Sequence, residues 1–341
     1  MIKIGQIGMA HDHAPGFMAV LRKYPDVFDI VGVAEDNPKY ASKLAHTKFK
    51  GEAVYEGIPL ISTEELLSIP GLQAVVVETE EVSLIDYAYR AVERGLHVHI
   101  DKPAGTDLQK FRRLLRMAES KKLTVQMGYM YRYFPAVQYC LEQVKGGALG
   151  RIYQVDAIMD TLLAPAKREW TNRFPGGNMF YLGCHMVDLV LLLAGIPERI
   201  HPYNKSTGID GIDAVDHAFA VFEYKNGIST VRATLTESAG FARRQLVVCG
   251  EKGVMEIKPL ETALDTPANE VSVSYVPDAL GPFRTAVLPS AAGRYDAMML
   301  DFADMVEGRK QNPYSYEYEY TVQKAILAAC GLPVELHNDD W

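Results

Sequence analysis

The first 125 residues of the chain alternate short apolar runs with helix-length amphipathic stretches, and this alternation is the strongest constraint on the fold. The apolar runs lie at about 2–7, 29–34, 73–77, 97–100 and 123–127. Parallel strands need a crossover connection, which is usually a helix. We therefore predict an N-terminal α/β domain over residues 1–125, a doubly wound parallel sheet with helices on both faces.

Two helix starts in this region have the pattern of a capping box, in which side chains three residues apart satisfy free backbone amides. The pairs are Ser62 with Glu65 and Thr106 with Gln109. We expect a helix to begin at each pair.

The pattern changes after Gly128. Two alternating runs, at 218–224 and 229–235, are joined by Lys225, Asn226 and Gly227, and Asn-Gly between alternating runs is typical of a β-hairpin. A strong helix is predicted from about Met179 to Leu193. Residues 126–341 are therefore predicted to form an α+β domain with a large, mostly antiparallel open sheet.

Charge and cysteine content exclude several classes of protein. The formal net charge of −8 leaves no basic surplus for nucleic acid or anionic lipid. The four cysteines contain no C-x-x-C pair, which argues against a zinc ribbon and a disulfide framework. No signal-peptide pattern precedes the first strand, and no apolar run reaches transmembrane length. We expect a cytoplasmic protein with a small-molecule partner and no nucleic-acid or membrane partner.

The loop after the first strand stands where a Rossmann fold places G-x-G-x-x-G, the turn that brings a pyrophosphate to a helix N-terminus. Gly8 keeps the first glycine, Ala10 is still small, and His11 and His13 complete the loop. The second strand ends in Glu35, where this fold places the carboxylate that binds the ribose hydroxyls. The adjacent Asp36 would repel a 2′-phosphate, so the sequence favours NAD over NADP.

The His11-Asp12-His13 run has an alternative interpretation, because His-x-His after a first strand also begins metal-dependent amidohydrolase barrels. The predicted domain closes too early for eight βα units, and no further histidines with a carboxylate fall at later strand ends. We therefore expect no metal site.

Four segments together resemble the Gfo/Idh/MocA oxidoreductases, a family named for glucose-fructose oxidoreductase, inositol dehydrogenase and a rhizopine-catabolism protein. They are 95–103, 128–133, 147–150 and 176–185. The resemblance implies that Lys102 lies beside the nicotinamide and polarises the substrate oxygen, with Pro103 often following a cis peptide bond. It also implies that His185 is the general base.

The sequence departs from the family pattern at several of these positions. Asp101 replaces a glutamate, and Tyr181 stands where the family has an aspartate, four residues before His185. On a regular helix, Tyr181, His185 and Asp188 would share one stripe, so Tyr181 is expected to assist catalysis. The strand-four loop usually reads Thr-Pro-Asn followed by a histidine, whereas this chain has Thr79, Glu80 and Glu81, which bring negative charge to the nicotinamide side.

The remaining candidates are substrate ligands. Arg168 and Trp170 precede the second glycine motif, where relatives line the substrate pocket, and an aromatic plate with donors suits a polyhydroxylated ring. Arg132 and Asp188 are expected to join them. We predict an NAD(H)-dependent oxidoreductase acting on a sugar, cyclitol or related polyol, and a homodimer or homotetramer. The alternatives are a regulatory binding protein without turnover and a redox-assisted glycoside hydrolase.

Overall fold

The computed structural model describes residues 1–42, 44, 47–261, 270–276, 284–289, 293–338 and 341. The chain divides into two compact units. The first unit contains Met1–Met130, Gly293–Tyr320 and Trp341, and the second contains Tyr131–Ala292 and Thr321–Asp340. The predicted division at residue 125 places 293–320 in the second domain, whereas in the structure this segment packs with the first unit.

The first unit is built on a six-stranded parallel sheet with the order β3-β2-β1-β4-β5-β6. Its central strands are buried almost throughout, as expected when helices cover both faces of a sheet. The strands are β1 Ile2–Ile7, β2 Phe28–Ala34, β3 Leu60–Ile61, β4 Ala74–Val77, β5 His97–Ile100 and β6 Val125–Met127. The doubly wound fold is confirmed, and β3, a two-residue edge strand, is the strand that the apolar runs did not predict.

Five helices connect these strands, and a sixth comes from the distant segment of the first unit. They are α1 Ala14–Lys23, α2 Pro38–Ala41, α3 Thr63–Leu67, α4 Leu84–Glu93, α5 Leu108–Lys121 and, in chain order after the second unit's helices, α10 Asp296–Val306. The helix α11, Tyr316–Ala329, runs from the first unit into the second.

The segment that contains α10 completes the core of the first unit. The Tyr295 ring stacks on Phe17 with ring centroids 4.5 Å apart. Gln126 of β6 donates a hydrogen bond to the Met298 carbonyl at 3.0 Å. The Val125 amide donates a hydrogen bond to the Tyr316 hydroxyl, and the side-chain amide of Asn312 donates one to the Val125 carbonyl, each at 3.0 Å. These contacts cover the free edge of β6, which would otherwise expose unpaired backbone groups.

The second unit contains an eight-stranded sheet with the order β14-β13-β12-β11-β7-β10-β9-β8. Only β7 and β10 pair in parallel, so the predicted mostly antiparallel sheet is confirmed. The strands are β7 Ile152–Ile158, β8 Arg199–Pro202, β9 His217–Tyr224, β10 Gly227–Thr234, β11 Gln245–Gly250, β12 Gly253–Lys258, β13 Glu270–Val276 and β14 Arg284–Pro289. The hairpin of β9 and β10 turns at Lys225 and Asn226, as predicted.

The helices of the second unit pack mainly around its central strands, with α8 against β7 and β10. They are α6 Pro135–Lys145, α7 Pro165–Thr171, α8 Cys184–Ala194 and α9 Gly240–Arg243. A π-helical turn, Met179–Gly183, precedes α8, so the predicted helix from Met179 has regular α-helical spacing only from Cys184 onward.

Two further findings bear on the sequence-based expectations. Among the described residues, every helix is too short or too polar to cross a bilayer. The four cysteines are free thiols.

The two predicted capping boxes have different outcomes. Ser62 and Glu65 form the reciprocal box at the start of α3. The box predicted for Thr106 and Gln109 is wrong, because α5 is capped by Asp107, whose carboxylate accepts a hydrogen bond from the Lys110 amide at 2.9 Å. The Asp107 carboxylate, one residue after Thr106, accepts the hydrogen bond of the Lys110 amide, so the Thr106 hydroxyl is not the cap.

We predict that Asp107→Ala lowers the free energy of unfolding by about 1 kcal/mol, because it removes the acceptor at the helix N-terminus. Urea denaturation followed by circular dichroism measures the change. The matched control is Thr106→Ala, at the exposed neighbouring position, which should leave stability nearly unchanged. A larger loss for Thr106→Ala than for Asp107→Ala would contradict this cap.

Candidate active site

The candidate site in the first unit lies at the carboxyl ends of β1, β4 and β5, which are neighbours in the sheet. The chain leaves β1 toward β2, whereas β4 lies on the other side of β1. The winding of the sheet therefore reverses at this point, and ligands of doubly wound sheets bind in the crevice at such a reversal.

Gly8 makes the turn that opens this crevice. Its φ of +90° favours glycine, and a Cβ there would lie 2.6 Å from the Thr79 backbone nitrogen. The Gly8 amide donates to the Ala34 carbonyl at 2.7 Å, and the His11 amide donates to the Glu78 carbonyl at 3.0 Å. The loop is thus tied to the ends of both neighbouring strands, and Thr79 packs directly against its glycine.

The start of α1 follows this loop. His13 occupies the N-cap position without a side-chain capping hydrogen bond, and a proline stands in the first turn. A helix N-terminus attracts anions because its amides and its dipole are positive there. With Gly8 and the half-buried Ala10, this end of α1 fits the pyrophosphate of a dinucleotide.

The two carboxylates at the end of β2 have different surroundings. Glu35 accepts hydrogen bonds from the Met9 amide at 2.8 Å and the Asn37 amide at 2.9 Å, and its partial burial raises its pKa. Asp36 accepts from the amide and the hydroxyl of Thr63, at 3.0 and 2.7 Å, which fixes the first turn of α3. Glu35 therefore lies beside the Gly8 loop, whereas Asp36 also serves the fold.

Five side chains form what we call the strand-end cluster: His11, His13, Glu78, Glu81 and Asp101. Four of them are fully buried, and the His13 side chain is 15% exposed. Asp101 Oδ2 lies 2.9 Å from His11 Nδ1 and 2.8 Å from His13 Nδ1. Glu81 Oε1 is 3.7 Å from His11 Nε2, and Glu78 Oε2 is 3.8 Å from His11 Nδ1.

The protonation of the cluster follows from its burial and from Asp101. Burial alone would raise the pKa of Asp101, but the two imidazoles outweigh it and hold that pKa well below its usual value. Burial lowers the pKa of His13 to about 4, whereas the Asp101 carboxylate overcomes burial and raises the pKa of His11. Burial, and then the charge of Asp101, raise the pKa of Glu78 well above its usual value. The pKa shifts therefore favour the charged forms of His11 and Asp101 and the neutral forms of His13 and Glu78.

Lys102 follows Asp101 and is fully buried at the end of β5. Its backbone amide donates to Asp101 Oδ1 at 2.7 Å, and the bond between Lys102 and Pro103 is cis. Gly128 leaves room for this turn, because a Cβ there would lie 2.8 Å from Asp101 Oδ1. The side chain of Asp101 thus fixes the backbone that presents Lys102.

In the second unit, Tyr181 belongs to an aromatic group next to α7. Its ring lies parallel to Phe174, with centroids 6.2 Å apart, and edge-on to Trp170 at 5.5 Å. The ammonium of Lys167 lies 3.5 Å from the Trp170 centroid and 5.2 Å from that of Tyr181. The π-helical turn that contains Tyr181 breaks the regular spacing from which the shared stripe with His185 was predicted.

His185 and Asp188 lie on α8 and are both buried. The His185 ring contacts Tyr131 edge-on, with centroids 5.4 Å apart. Asp188 forms a bidentate pair with Arg132, with Nε to Oδ2 at 2.9 Å and Nη2 to Oδ1 at 2.6 Å. Two residues that were predicted separately as substrate ligands therefore bind each other.

Two other buried side chains of the second unit, Arg168 and Glu261, form ion pairs. The guanidinium of Arg168 is buried and pairs with Asp216 at 3.1 Å and with Asp210. The Tyr131 hydroxyl donates to Glu261 at 2.6 Å, and Glu261 also pairs with Arg244. Trp170, another predicted substrate ligand, is half-buried.

Sequence reasoning did not predict that Asp101 would bind two histidines or that Glu78 would face them. A signal was present, because the carboxyl ends of adjacent parallel strands meet at one edge of a sheet. The residues that follow β1, β4 and β5 were therefore neighbours in any sheet of this order. The partners of Arg168, Asp210 and Asp216, come from a loop that has no such regular placement.

Comparison with known proteins adds family matches over both units. Residues 2–129 match the model described as "Oxidoreductase family, NAD-binding Rossmann fold". Residues 137–256 match the model described as "GFO/IDH/MocA C-terminal domain".

Individual relatives are distant. The "Uncharacterized oxidoreductase YhhX" of Escherichia coli K12 is 32% identical over 158 residues, 46% of this chain and 45% of the relative. "D-xylose 1-dehydrogenase (NADP(+)) 2" of Haloferax volcanii is 27% identical over 175 residues, 50% and 53% of the two chains. The chain thus spans about half the length of these curated relatives.

A solved structure supports the fold over the full length. "UDP-N-acetylglucosamine 3-dehydrogenase GnnA" of Acidithiobacillus ferrooxidans has a TM-score of 0.73 at 20% identity, with 97% of both chains covered.

We predict that Asp188→Asn destabilises the second unit strongly, by about 3–5 kcal/mol, because it leaves the Arg132 guanidinium buried without a counter-charge. The matched control is Glu64→Gln, which removes the exposed carboxylate that pairs with Arg90 and Arg94 and should change stability only slightly. Denaturant titration of both variants measures the difference. Equal small losses would show that the buried pair contributes no more than a surface pair.

Proposed function

The chain belongs to the Gfo/Idh/MocA oxidoreductase family, and on this premise we propose that it interconverts a secondary hydroxyl and a ketone of a sugar, cyclitol or related polyol with NAD(H). The observation that carries the proposal is Lys102, fully buried at the carboxyl end of β5, on the same sheet edge as the Gly8 loop. A buried ammonium at this edge is costly unless it stabilises negative charge.

The first unit supplies the cofactor ligands of the proposal. The Gly8 loop, with Ala10 and the start of α1, holds the pyrophosphate, and Glu35 accepts hydrogen bonds from the ribose hydroxyls. The rest of the proposed cofactor lining consists of Thr79, Glu81, Pro103 and the two loop histidines, His11 and His13. When bound, the nicotinamide accepts or donates the hydride of the reaction.

The acid–base roles are those that the resemblance to the family implies. Lys102 stabilises the negative charge that develops on the substrate oxygen, and His185 accepts the proton of the hydroxyl. Tyr181 assists as a hydrogen-bond donor. The buried pair of Arg132 and Asp188 holds α8, and the Tyr131 ring supports His185, so both are positioning residues in this scheme.

A sugar-like substrate is supported by the surface around Trp170. The Trp170 ring is half-buried and lies beside the cations of Lys167 and Arg173, and an aromatic ring with cationic donors suits the apolar face and the hydroxyls of a sugar. One curated relative is named for D-xylose, and GnnA for a nucleotide sugar.

We also propose a homodimer or homotetramer. One face of the eight-stranded sheet carries half-buried apolar side chains, including Phe219, Val221 and Val247, alternating along the strands with fully buried residues of the other face. A second copy of the chain would cover this face.

We predict that NAD(H) binds more tightly than NADP(H), because Glu35 accepts two ribose hydroxyls and Asp36 repels a third phosphate. Calorimetric titration with both dinucleotides measures the preference. The variant Glu35→Gln should weaken NAD(H) binding and reduce the preference. Equal or reversed affinities for the parent would overturn the assignment of this strand end, and the relative from Haloferax volcanii is named as an NADP(+) enzyme.

We predict that Lys102→Met lowers turnover by about a hundredfold or more while dinucleotide binding is kept, because an interaction of the transition state is lost. Absorbance at the reduced nicotinamide band, with a panel of cyclic polyols and oxidised sugars, measures turnover. Lys110→Met on α5 is the control and should leave the rate unchanged. Undiminished turnover by Lys102→Met would exclude Lys102 as the catalytic cation.

The same assay separates the alternative functions. Sugar release without net change in the nicotinamide band would identify a redox-assisted glycoside hydrolase. An inert parent that still binds dinucleotide would identify a regulatory protein, and turnover gained by Tyr181→Asp would then trace the loss to that position.

A further inference from the structure

Three atoms of the strand-end cluster converge in the manner of metal ligands. They are His11 Nδ1, His13 Nδ1 and Asp101 Oδ2, and ligand atoms of these three residues all lie within 4.8 Å of one another. We propose that they bind one divalent first-row transition-metal ion in the first unit.

The distances suit such an ion. Zinc binds nitrogen at about 2.0–2.1 Å and carboxylate oxygen at about 2.0–2.2 Å, so tetrahedral ligand atoms lie roughly 3.3 Å apart. The two imidazole nitrogens now lie 2.9 and 2.8 Å from the Asp101 oxygen. Lengthening each of these two distances by about half an ångström would bring them to the spacing of tetrahedral ligand atoms.

Buried polar atoms around the three ligands give independent support. Within the described part of the chain, His11 Nε2 and both carboxylate oxygens of Glu78 are buried and have no hydrogen-bond partner. Buried polar groups are otherwise almost always bonded. Glu78 aims at His11 Nδ1 from 3.8 Å, so the unsatisfied carboxylate faces the proposed ion position.

The outer shell has the arrangement that metal-bound histidines need. A ligating imidazole usually directs its second nitrogen at a carboxylate, which fixes the ring. Glu81 Oε1 lies 3.7 Å from His11 Nε2, close enough for a modest shift to complete that bond. Glu81 is therefore a positioning residue in this proposal, and the carboxyl group of Glu78 lies beside the same imidazole.

The ligand types define the class of ion. Two imidazoles with one carboxylate favour zinc, cobalt, nickel, copper or iron over magnesium and calcium, which prefer oxygen ligands. Three protein ligands leave a coordination position for water or an exogenous group. The partly exposed His13 side chain provides the access path from solvent.

This site differs from the amidohydrolase alternative raised by the sequence. That alternative required a barrel with metal ligands at many strand ends, whereas the ligands proposed here come only from the loop after β1 and the end of β5. His11, His13 and Glu81 also belong to the proposed cofactor lining, but the test of the metal site needs neither nucleotide nor substrate.

The full chain, stripped with a chelator and transferred to metal-free buffer, is titrated with Zn²⁺ by calorimetry and with Co²⁺ by visible absorbance. We expect saturable binding of a single ion and a visible Co²⁺ band from nitrogen and oxygen ligands. His13→Gln and Asp101→Asn should each weaken binding at least tenfold. Mg²⁺ and Ca²⁺ in large excess should not displace the bound Co²⁺.

The matched control is His201→Gln in the second unit. His201 lies 2.8 Å from a carboxylate oxygen of Glu223, the same separation as His13 from Asp101, but this pair is largely exposed. His201→Gln should bind metal like the parent. Circular dichroism verifies that each variant folds. If Asp101→Asn does not fold, His13→Gln still tests the site, because the partly exposed His13 side chain tolerates substitution better. Absent saturable binding, unchanged binding by His13→Gln, or displacement by Mg²⁺ would overturn the proposal.

Discussion

The carboxylate of Asp101 is the group on which the arrangement of the first unit's site depends. One oxygen accepts the Lys102 amide, and the other faces the imidazoles of His11 and His13. An ionised carboxylate is tolerated in a buried position only where charge and hydrogen bonds surround it. The loop after β1 and the turn after β5 are therefore linked by one charge, and a shift in either loop changes the environment of the other.

The second unit uses the same physical principle with different partners. Asp188 and Arg132 neutralise each other in a buried bidentate pair, and Glu261 receives both Tyr131 and Arg244. Because these charges are paired internally, they hold α8 and the neighbouring segment rigid and are less available to a ligand. Polar residues that the sequence suggests as ligands can thus serve the packing of the second unit, as Arg132 and Asp188 do.

The regular parts of the fold were predictable because they follow from periodicity. The apolar runs located β1, β2, β4, β5 and β6, and Asn226-Gly227 located a hairpin, since both signals depend on neighbouring residues only. The cap of α5 was missed because Thr106 and Asp107 both suit an N-cap, and only the backbone conformation selects one. The partners of Asp101 and Arg168 depend on tertiary placement of loops, for which a single sequence has no comparable rule.

The segment 293–320 returns to the first unit after the whole sheet of the second has been traversed. Tyr295 covers Phe17, and Asn312 and Tyr316 close the edge of β6. During synthesis, Asn312 and Tyr316 must therefore be added before the edge of β6 can be covered. Until then the edge of β6 is uncovered, and an exposed strand edge of this kind makes a folding intermediate prone to aggregation.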